Sequence, residues 1–317
     1  MKNNISIGVD IGGTKINIAA LNKQSQLLDF KTIKTPSQNS EKLLAVLLEN
    51  IKKFMNKFDL VEGIGIATAG RVIFEEKKLA YTTDNLKEWD QSNLYQELKT
   101  HFAVPIYLDN DVNAALISEL KEINNYQNKN IIFITIGTGL GGALAVNGKI
   151  IRGNSGSAGE FGHMILYPNG KQCNCGKKGC AEQYISGKAY QQRLIDKFKK
   201  ENIALNKKNL SLQKIEREIK SEKGIYYQTL KEMCYDLTLL LESLKNAVDF
   251  DLCILGGSFS VYKKQILKLL KQYSTNFQEK YYVKSNYKFA KNRDKAGVIG
   301  AAIMVFKENE NNKSNFF

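Results

Sequence analysis

Ile7-Gly8-Val9-Asp10-Ile11-Gly12-Gly13-Thr14-Lys15-Ile16-Asn17-Ile18-Ala19 opens the chain, and Ile134-Thr135-Ile136-Gly137-Thr138-Gly139-Leu140-Gly141-Gly142-Ala143-Leu144-Ala145 repeats its plan further on. Both are hydrophobic strands that turn at a Gly/Thr cluster and come back. One strand-hairpin unit used twice implies an internal duplication, and hence two related halves. Working outward from the first copy, strands are expected at 5–11, 15–21 and 27–33. A helix follows at about 41–58, with Leu44, Leu47, Leu48, Ile51 and Met55 recurring at helical spacing. Then come a strand at 61–68 ending in Ala69-Gly70-Arg71, a helix at 92–101, a short strand at 105–108 and a helix at 112–121. Around the second copy the strands run 130–136 and 143–146, with an Asn147-Gly148 hairpin turn. Helices are expected at 182–199, 212–221 and 225–247. A strand at 251–255 ends in Gly256-Gly257-Ser258 before a helix to about residue 273. The last helix, 296–306, is small on one face (Ala296, Gly300, Ala301), and the polar tail 308–317 is expected to fray. Strands alternating with helices around a repeated hairpin give an α/β protein of two related lobes.

Residues 158–182 gather three of the five cysteines and one of the two histidines. His163, Cys173, Cys175 and Cys180 offer one imidazole and three thiols, a full tetrahedral set for a structural zinc ion. Gly170, Gly176 and Gly179 let the backbone turn tightly enough to bring them together. Such a turn would also hold Glu160 and Glu182 rigidly, and zinc has no use for them; fixed carboxylates beside a metal staple point to a binding site. Cys234 and Cys253 sit in apolar surroundings and read as core, His101 as a surface residue.

The paired turns Gly12-Gly13-Thr14-Lys15 and Gly137-Thr138-Gly139 suit the oxygens of a polyphosphate, because glycine lets N–H groups face a concavity and threonine adds a hydroxyl. Each is equally compatible with an ordinary hairpin. Neither is a Walker loop. Asp10, next to the first turn, is placed to hold Mg2+ or its water. Gly256-Gly257 form a third strand-to-helix turn suited to a nucleotide base or sugar. Asp111 either caps the helix it opens or acts as general base toward a hydroxyl, as phosphoryl transfer requires. Asn110 beside it can donate to and accept from sugar hydroxyls. Asp109 should point away from its neighbour in an extended segment.

The net charge of +14 raises the question of nucleic acid. Only five of the 46 basic residues are arginine, and the lysines are spread along the whole chain, so the excess reads as compositional bias with a general attraction for anions. No uninterrupted apolar run is long enough to span a bilayer, and residues 1–4 lead straight into a strand; a cytoplasmic protein is expected.

The motifs Asp10-Ile11-Gly12-Gly13-Thr14-Lys15, Asn110-Asp111-Val112-Asn113-Ala114-Ala115, Ile136 to Gly142, Ala158 to His163, Cys173 to Glu182 and Leu255-Gly256-Gly257-Ser258 together resemble the ROK family, within the actin, hexokinase and heat-shock ATPase superfamily. The resemblance runs nearly full length and implies an actin-like (ribonuclease H-like) fold of two α/β lobes closing on ATP and a sugar. A small lobe of residues 1–112 would be completed by 296–317, and a large lobe of 113–295 would carry the zinc knot. It implies phosphorylation of a sugar 6-hydroxyl with Asp111 as base. Asn110, Glu160, His163, Glu182 and Gly70 become sugar ligands, His163 also binding zinc, and ATP with Mg2+ sits on the glycine turns. It also implies a homodimer. In the loop Ala67-Thr68-Ala69-Gly70 the family's glucokinases carry a proline-glycine; without proline this loop is more similar to N-acetylmannosamine kinases of sialic-acid breakdown, with glucose the alternative acceptor. Family members that repress transcription carry a winged helix ahead of the first turn, and nine residues before Asp10 are too few for one.

Overall fold

The structure, a computed structural model, describes residues 4–36, 40–82, 94–204, 206, 209–276 and 286–314. Its contacts divide the chain into two compact units, one of Met1–Tyr126, Lys149–Ala158 and Lys291–Phe317, the other of Gln127–Gly148 and Gly159–Ala290.

The first unit is built on β1 (Ile5–Ile11), β2 (Lys15–Asn22), β3 (Leu27–Lys34), β4 (Val61–Thr68) and β7 (Ile106–Asn110), in the order β3-β2-β1-β4-β7. β1 runs antiparallel to β2 and parallel to β4, and β4 runs parallel to β7. Alternation along β1 sorts its side chains between two helical layers. Ile5, Ile7, Val9 and Ile11 join a cluster with Leu43, Leu47, Ile51 and Phe54 of α1 (Ser40–Met55). The opposite face meets α9 (Ala296–Ser314) at very short range. A Cβ on Gly8 would lie 2.1 Å from the Val298 carbonyl, and one on Gly65 1.9 Å from that of Ala301. The helix α3 (Asp111–Leu120) packs on α9 in the same way, with Gly300 against the Ala114 carbonyl. Glycine and alanine on these surfaces are thus a packing requirement. The unit also holds α2 (Leu94–His101), the hairpin β5 (Gly70–Ile73) and β6 (Lys78–Thr82), and the two-residue strand β10 (Lys149–Ile150).

The second unit repeats the wiring with β8 (Ile131–Ile136), β9 (Leu140–Val146), β11 (Leu252–Gly256) and β12 (Tyr287–Phe289), in the order β9-β8-β11-β12. β8 and β9 are antiparallel, while β8, β11 and β12 are parallel. Its core joins these strands to α5 (Gly187–Lys200), α6 (Leu212–Lys220), α7 (Gly224–Val248) and α8 (Lys263–Asn276). Cys234 and Cys253 are buried there and His101 is exposed in the first unit, as expected.

Several expectations are corrected. The second hairpin strand begins at Leu140, since its turn is only three residues long and Gly141 and Gly142 pair within the ladder. The helix expected at 182–199 is broken into α4 (Glu182–Ile185) and α5 by Ser186, extended at φ −95° and ψ 167°, whose hydroxyl caps α5 by accepting from Ala189 N–H. The tail does not fray after 306: α9 continues to Ser314 because Asn309 accepts from the Tyr107 hydroxyl and donates to the Glu62 carbonyl. The boundary drawn at 112/113 falls inside α3, whose packing on α9 groups all of it with the first unit. Strands β5, β6 and β12 were not anticipated. Residues 92–93 and 315–317 of the expected helix and tail lie outside the described residues. Among the described residues no helix is long and apolar enough to cross a membrane.

Candidate functional site

In the first unit the turn after β1 is closed by Gly12 N–H donating to the Lys15 carbonyl at 3.0 Å. Thr35 braces it from the end of β3, its hydroxyl donating to the Gly12 carbonyl (2.7 Å) and its N–H to that of Thr14 (3.1 Å). Asp10 ends up half-buried beside this turn. Burial raises its pKa to about 6, against the opposing pull of the Asn17 hydrogen bond and of Lys15. At the start of α9, a Cβ on Gly297 would come within 2.8 Å of the Asp10 carboxylate.

The β7–α3 corner brings the three consecutive acidic and amide residues into different environments. Asn110 is the helix cap: its Oδ1 accepts from Val112 and Asn113 N–H at 2.8 and 3.2 Å. Its Nδ2 donates to the Gly70 carbonyl at 2.7 Å, which leaves one amide hydrogen for a ligand. Gly70 is in the left-handed region at φ +119°, and a Cβ there would lie 2.2 Å from the Tyr81 carbonyl, so the loop needs glycine. Asp111 is the first residue of α3, half-buried, and also accepts from Val112 N–H at 2.9 Å. Asp109 is buried at 1% exposure, where its carboxylate accepts from Asn110 N–H, Asn113 Nδ2 and Arg152 Nε.

In the second unit the turn Gly137-Thr138-Gly139 closes by Gly137 N–H donating to the Gly139 carbonyl at 3.0 Å. Glu182, opening α4, accepts from Leu140 N–H through Oε2 at 2.9 Å, and a Cβ on Gly139 would sit 2.4 Å from that oxygen. One predicted carboxylate therefore braces the predicted phosphate turn. Glu160 is exposed and precedes a single helical turn, Phe161–His163. The third turn answers to packing: a Cβ on Gly256 would touch the Phe133 ring at 3.0 Å, and Gly257, at φ +85°, lies against the Ile136 carbonyl.

His163, Cys173, Cys175 and Cys180 converge as their spacing predicts, with donor atoms all within 4.8 Å of one another. His163 Nδ1 lies 3.7 Å from Cys173 Sγ, and Cys175 Sγ lies 3.6 Å from Cys180 Sγ. Zinc–sulfur bonds of about 2.3 Å in a tetrahedron place ligand atoms roughly 3.5–3.8 Å apart, and these two separations fall in that range. Gly176 and Gly179, at φ +89° and +81°, make the reversals, and a Cβ on Gly179 would lie 1.7 Å from the Tyr167 carbonyl. The thiol chemistry fits as well. Burial, then the neighbouring thiols, push Cys180 up to about 12. At Cys175 burial works upward, but a backbone hydrogen bond at Lys177 and the thiols of Cys173 and Cys180 hold the pKa below its usual value. A dication bound among these side chains would favour their thiolate form.

Thr35, Arg152 and Glu308 were missed, because their partners are remote in sequence and none belongs to a motif. Arg71 also emerges: its Nη1 donates to Ser157 Oγ at 3.2 Å, while its buried Nε has no hydrogen-bond partner among the described residues.

The ROK family model matches residues 6–308. The glucokinase of Streptomyces coelicolor is 35% identical over 185 residues, 58% of this chain and 57% of that protein, so the match spans little more than half of that relative's length. The N-acetylmannosamine kinase of Vibrio cholerae serotype O1 is 29% identical over 268 residues, covering 84% of this chain and 88% of that protein. Among solved structures, that of a ROK family glucokinase from Streptomyces griseus in complex with glucose and AMPPNP superposes with a TM-score of 0.79 at 26% identity, covering 96% of this chain and 100% of that one.

Proposed function

The chain belongs to the ROK family, and we propose that it transfers the terminal phosphoryl group of ATP to the 6-hydroxyl of a hexose or N-acylhexosamine. The β7–α3 corner carries this reading. Asn110 caps the helix and clamps the Gly70 loop, leaving Asp111 at the helix entrance to accept the hydroxyl proton late in transfer. Asn110, Gly70, Glu160, His163 and Glu182 would bind the sugar. The turns at Gly12, Gly13, Thr14 and Lys15 and at Gly137, Thr138 and Gly139, with Gly256 and Gly257, would bind ATP through backbone N–H groups. Asp10 would hold the Mg2+ that arrives with the nucleotide, which when bound offsets phosphate charge.

His163, Cys173, Cys175 and Cys180 would hold zinc, which supplies rigidity to the turn when bound. With Nδ1 facing Cys173, the other ring nitrogen of His163 is left to meet a sugar hydroxyl. The homodimer implied by the family belongs to the same proposal, and sedimentation returning a monomer would remove it.

N-acetylmannosamine is our preferred acceptor, on the proline-free loop Ala67-Thr68-Ala69-Gly70; glucose is the second reading, supported by relatives named glucokinase. The test is ADP production against N-acetylmannosamine, glucose, N-acetylglucosamine and fructose. No turnover on any of them would end the kinase reading, and a clear preference for glucose would end the first choice of sugar. Asp111→Asn should keep sugar binding while lowering kcat by about a thousandfold or more; near-normal turnover would remove Asp111 as base.

A further inference from the structure

We propose that Arg152 is a positioning residue for Asp111, acting through the buried carboxylate of Asp109. Asp109 is 1% exposed, and a carboxylate that deep persists only where donors meet it. Two donors converge on Oδ1: Asn110 N–H at 2.8 Å and Asn113 Nδ2 at 2.9 Å. The first belongs to the helix cap and the second to the first turn of α3, so one oxygen ties the end of the strand to the start of the helix. That tie fixes the backbone of Asn110 and with it the direction in which Asp111 leaves. Arg152 Nε meets the other oxygen at 2.8 Å.

Arg152 is itself held on two further sides. Its guanidinium carbon stands 3.5 Å from the centre of the Phe74 ring, and Nη2 is 3.6 Å from Glu308 Oε1 on α9. A planar, forked cation fits this place, stacking on the ring while bonding at its edge, where an ammonium does only the second. Without it Asp109 would keep a buried charge with no ion-pair partner among the described residues. The nearest relief is for the carboxylate to swing toward water, releasing Asn110 N–H and Asn113 Nδ2 together.

The inference rests on the proposed kinase reading only in making Asp111 the base; the geometry it predicts for the cap does not. Two readouts therefore separate the two. Arg152→Met, Arg152→Lys and the double variant Asp109→Asn/Arg152→Met are compared with the unaltered protein in steady-state kinetics and in amide hydrogen exchange at Val112 and Asn113. Arg152→Met should lower kcat about tenfold or more with the KM for ATP within about threefold, since small misplacements of a catalytic group are costly. It should also speed exchange of both cap amides about tenfold. Arg152→Lys should recover part of both losses. The double variant should recover cap protection, because no buried charge is left. An Arg152→Met protein with cap exchange within twofold of normal would overturn the proposal, whatever its activity. So would a double variant whose cap is no better protected than the single's. If the unaltered protein turns over no sugar, the kinase reading fails and the exchange readout still decides the role of Arg152. Should Arg152→Met not fold, Arg152→Lys and the double variant carry the same comparison.

Discussion

Replacing Asp10 by asparagine should make the ligand-free protein more stable while removing its response to Mg-ATP. Burial raises the Asp10 pKa from 3.8 to about 6, so the folded state holds this proton more tightly than the unfolded chain does. The consequence has a definite sign. About a unit or more below pH 3.8 both states are protonated and Asp10 costs nothing. As pH rises from there the unfolded chain gives up the proton first, and stability falls until the folded carboxyl has also ionised, just above pH 6. From then on the penalty is constant. About 1.4 kcal/mol per pKa unit makes the whole penalty about 3 kcal/mol at neutral pH.

Asparagine has the same shape and can still accept from Asn17, yet carries no charge. It also buries an amide, so roughly half to all of the penalty should be recovered. For a chain of this size that is a rise in Tm of about 3–6 °C. The assay is thermal unfolding of both proteins with a chelator present, from pH 4.5 to 8 at constant ionic strength. The Tm difference should be about a third of its final size at pH 4.5, grow through pH 6 and level off. Saturating Mg-ATP should then raise the Tm of the unaltered protein and leave Asp10→Asn nearly unmoved. A Tm difference that does not change with pH, or an Asp10→Asn protein less stable at pH 8, would refute the reasoning from burial.

Three further outcomes are expected. Gly300→Ala would drive a Cβ to 1.6 Å from the Ala114 carbonyl, a rigid neighbour; about 2 kcal/mol or more should be lost in denaturant unfolding despite alanine's better helix propensity. Gly139→Ala meets only the end of the Glu182 side chain, so stability should change by less than about 1 kcal/mol. The KM for sugar should nonetheless rise about tenfold as Glu182 is pushed off Leu140 N–H. Elemental analysis should find one zinc per chain, and stripping it should weaken sugar binding more than ATP binding, because a metal on these four residues would hold the turn that carries His163 and ends at Glu182.

What was legible in the sequence was local. Both hairpins and the convergence of His163, Cys173, Cys175 and Cys180 are written within short windows by periodicity, glycine and cysteine spacing, whereas the helix cap expected at Asp111 falls one residue earlier, at Asn110. What was not legible depends on partners far along the chain. The β5–β6 hairpin turns at Lys77, left-handed at φ 52°, where neither glycine nor asparagine announces a turn. The polar tail looked like a frayed end because Tyr107, which orders Asn309, is two hundred residues away. Arg152 passed as one arginine among five for the same reason: nothing near it in the sequence names Asp109.

The duplicated hairpin shows how far local reading can be carried. Both copies have an antiparallel pair whose first strand is joined on its other side by a parallel strand, and both put a carboxylate beside the glycine turn. In the first copy that carboxylate is Asp10, on the strand itself, and its place follows from the alternation of β1. In the second it is Glu182, which arrives from a helix 42 residues beyond Leu140, at the end of the cysteine turn. The first turn is therefore complete within β1 to β3, whose end supplies the Thr35 brace. The second is braced by a carboxylate that follows His163, Cys173, Cys175 and Cys180 in the chain, so a metal held there would set the geometry of the proposed phosphate turn as well as that of a proposed sugar ligand.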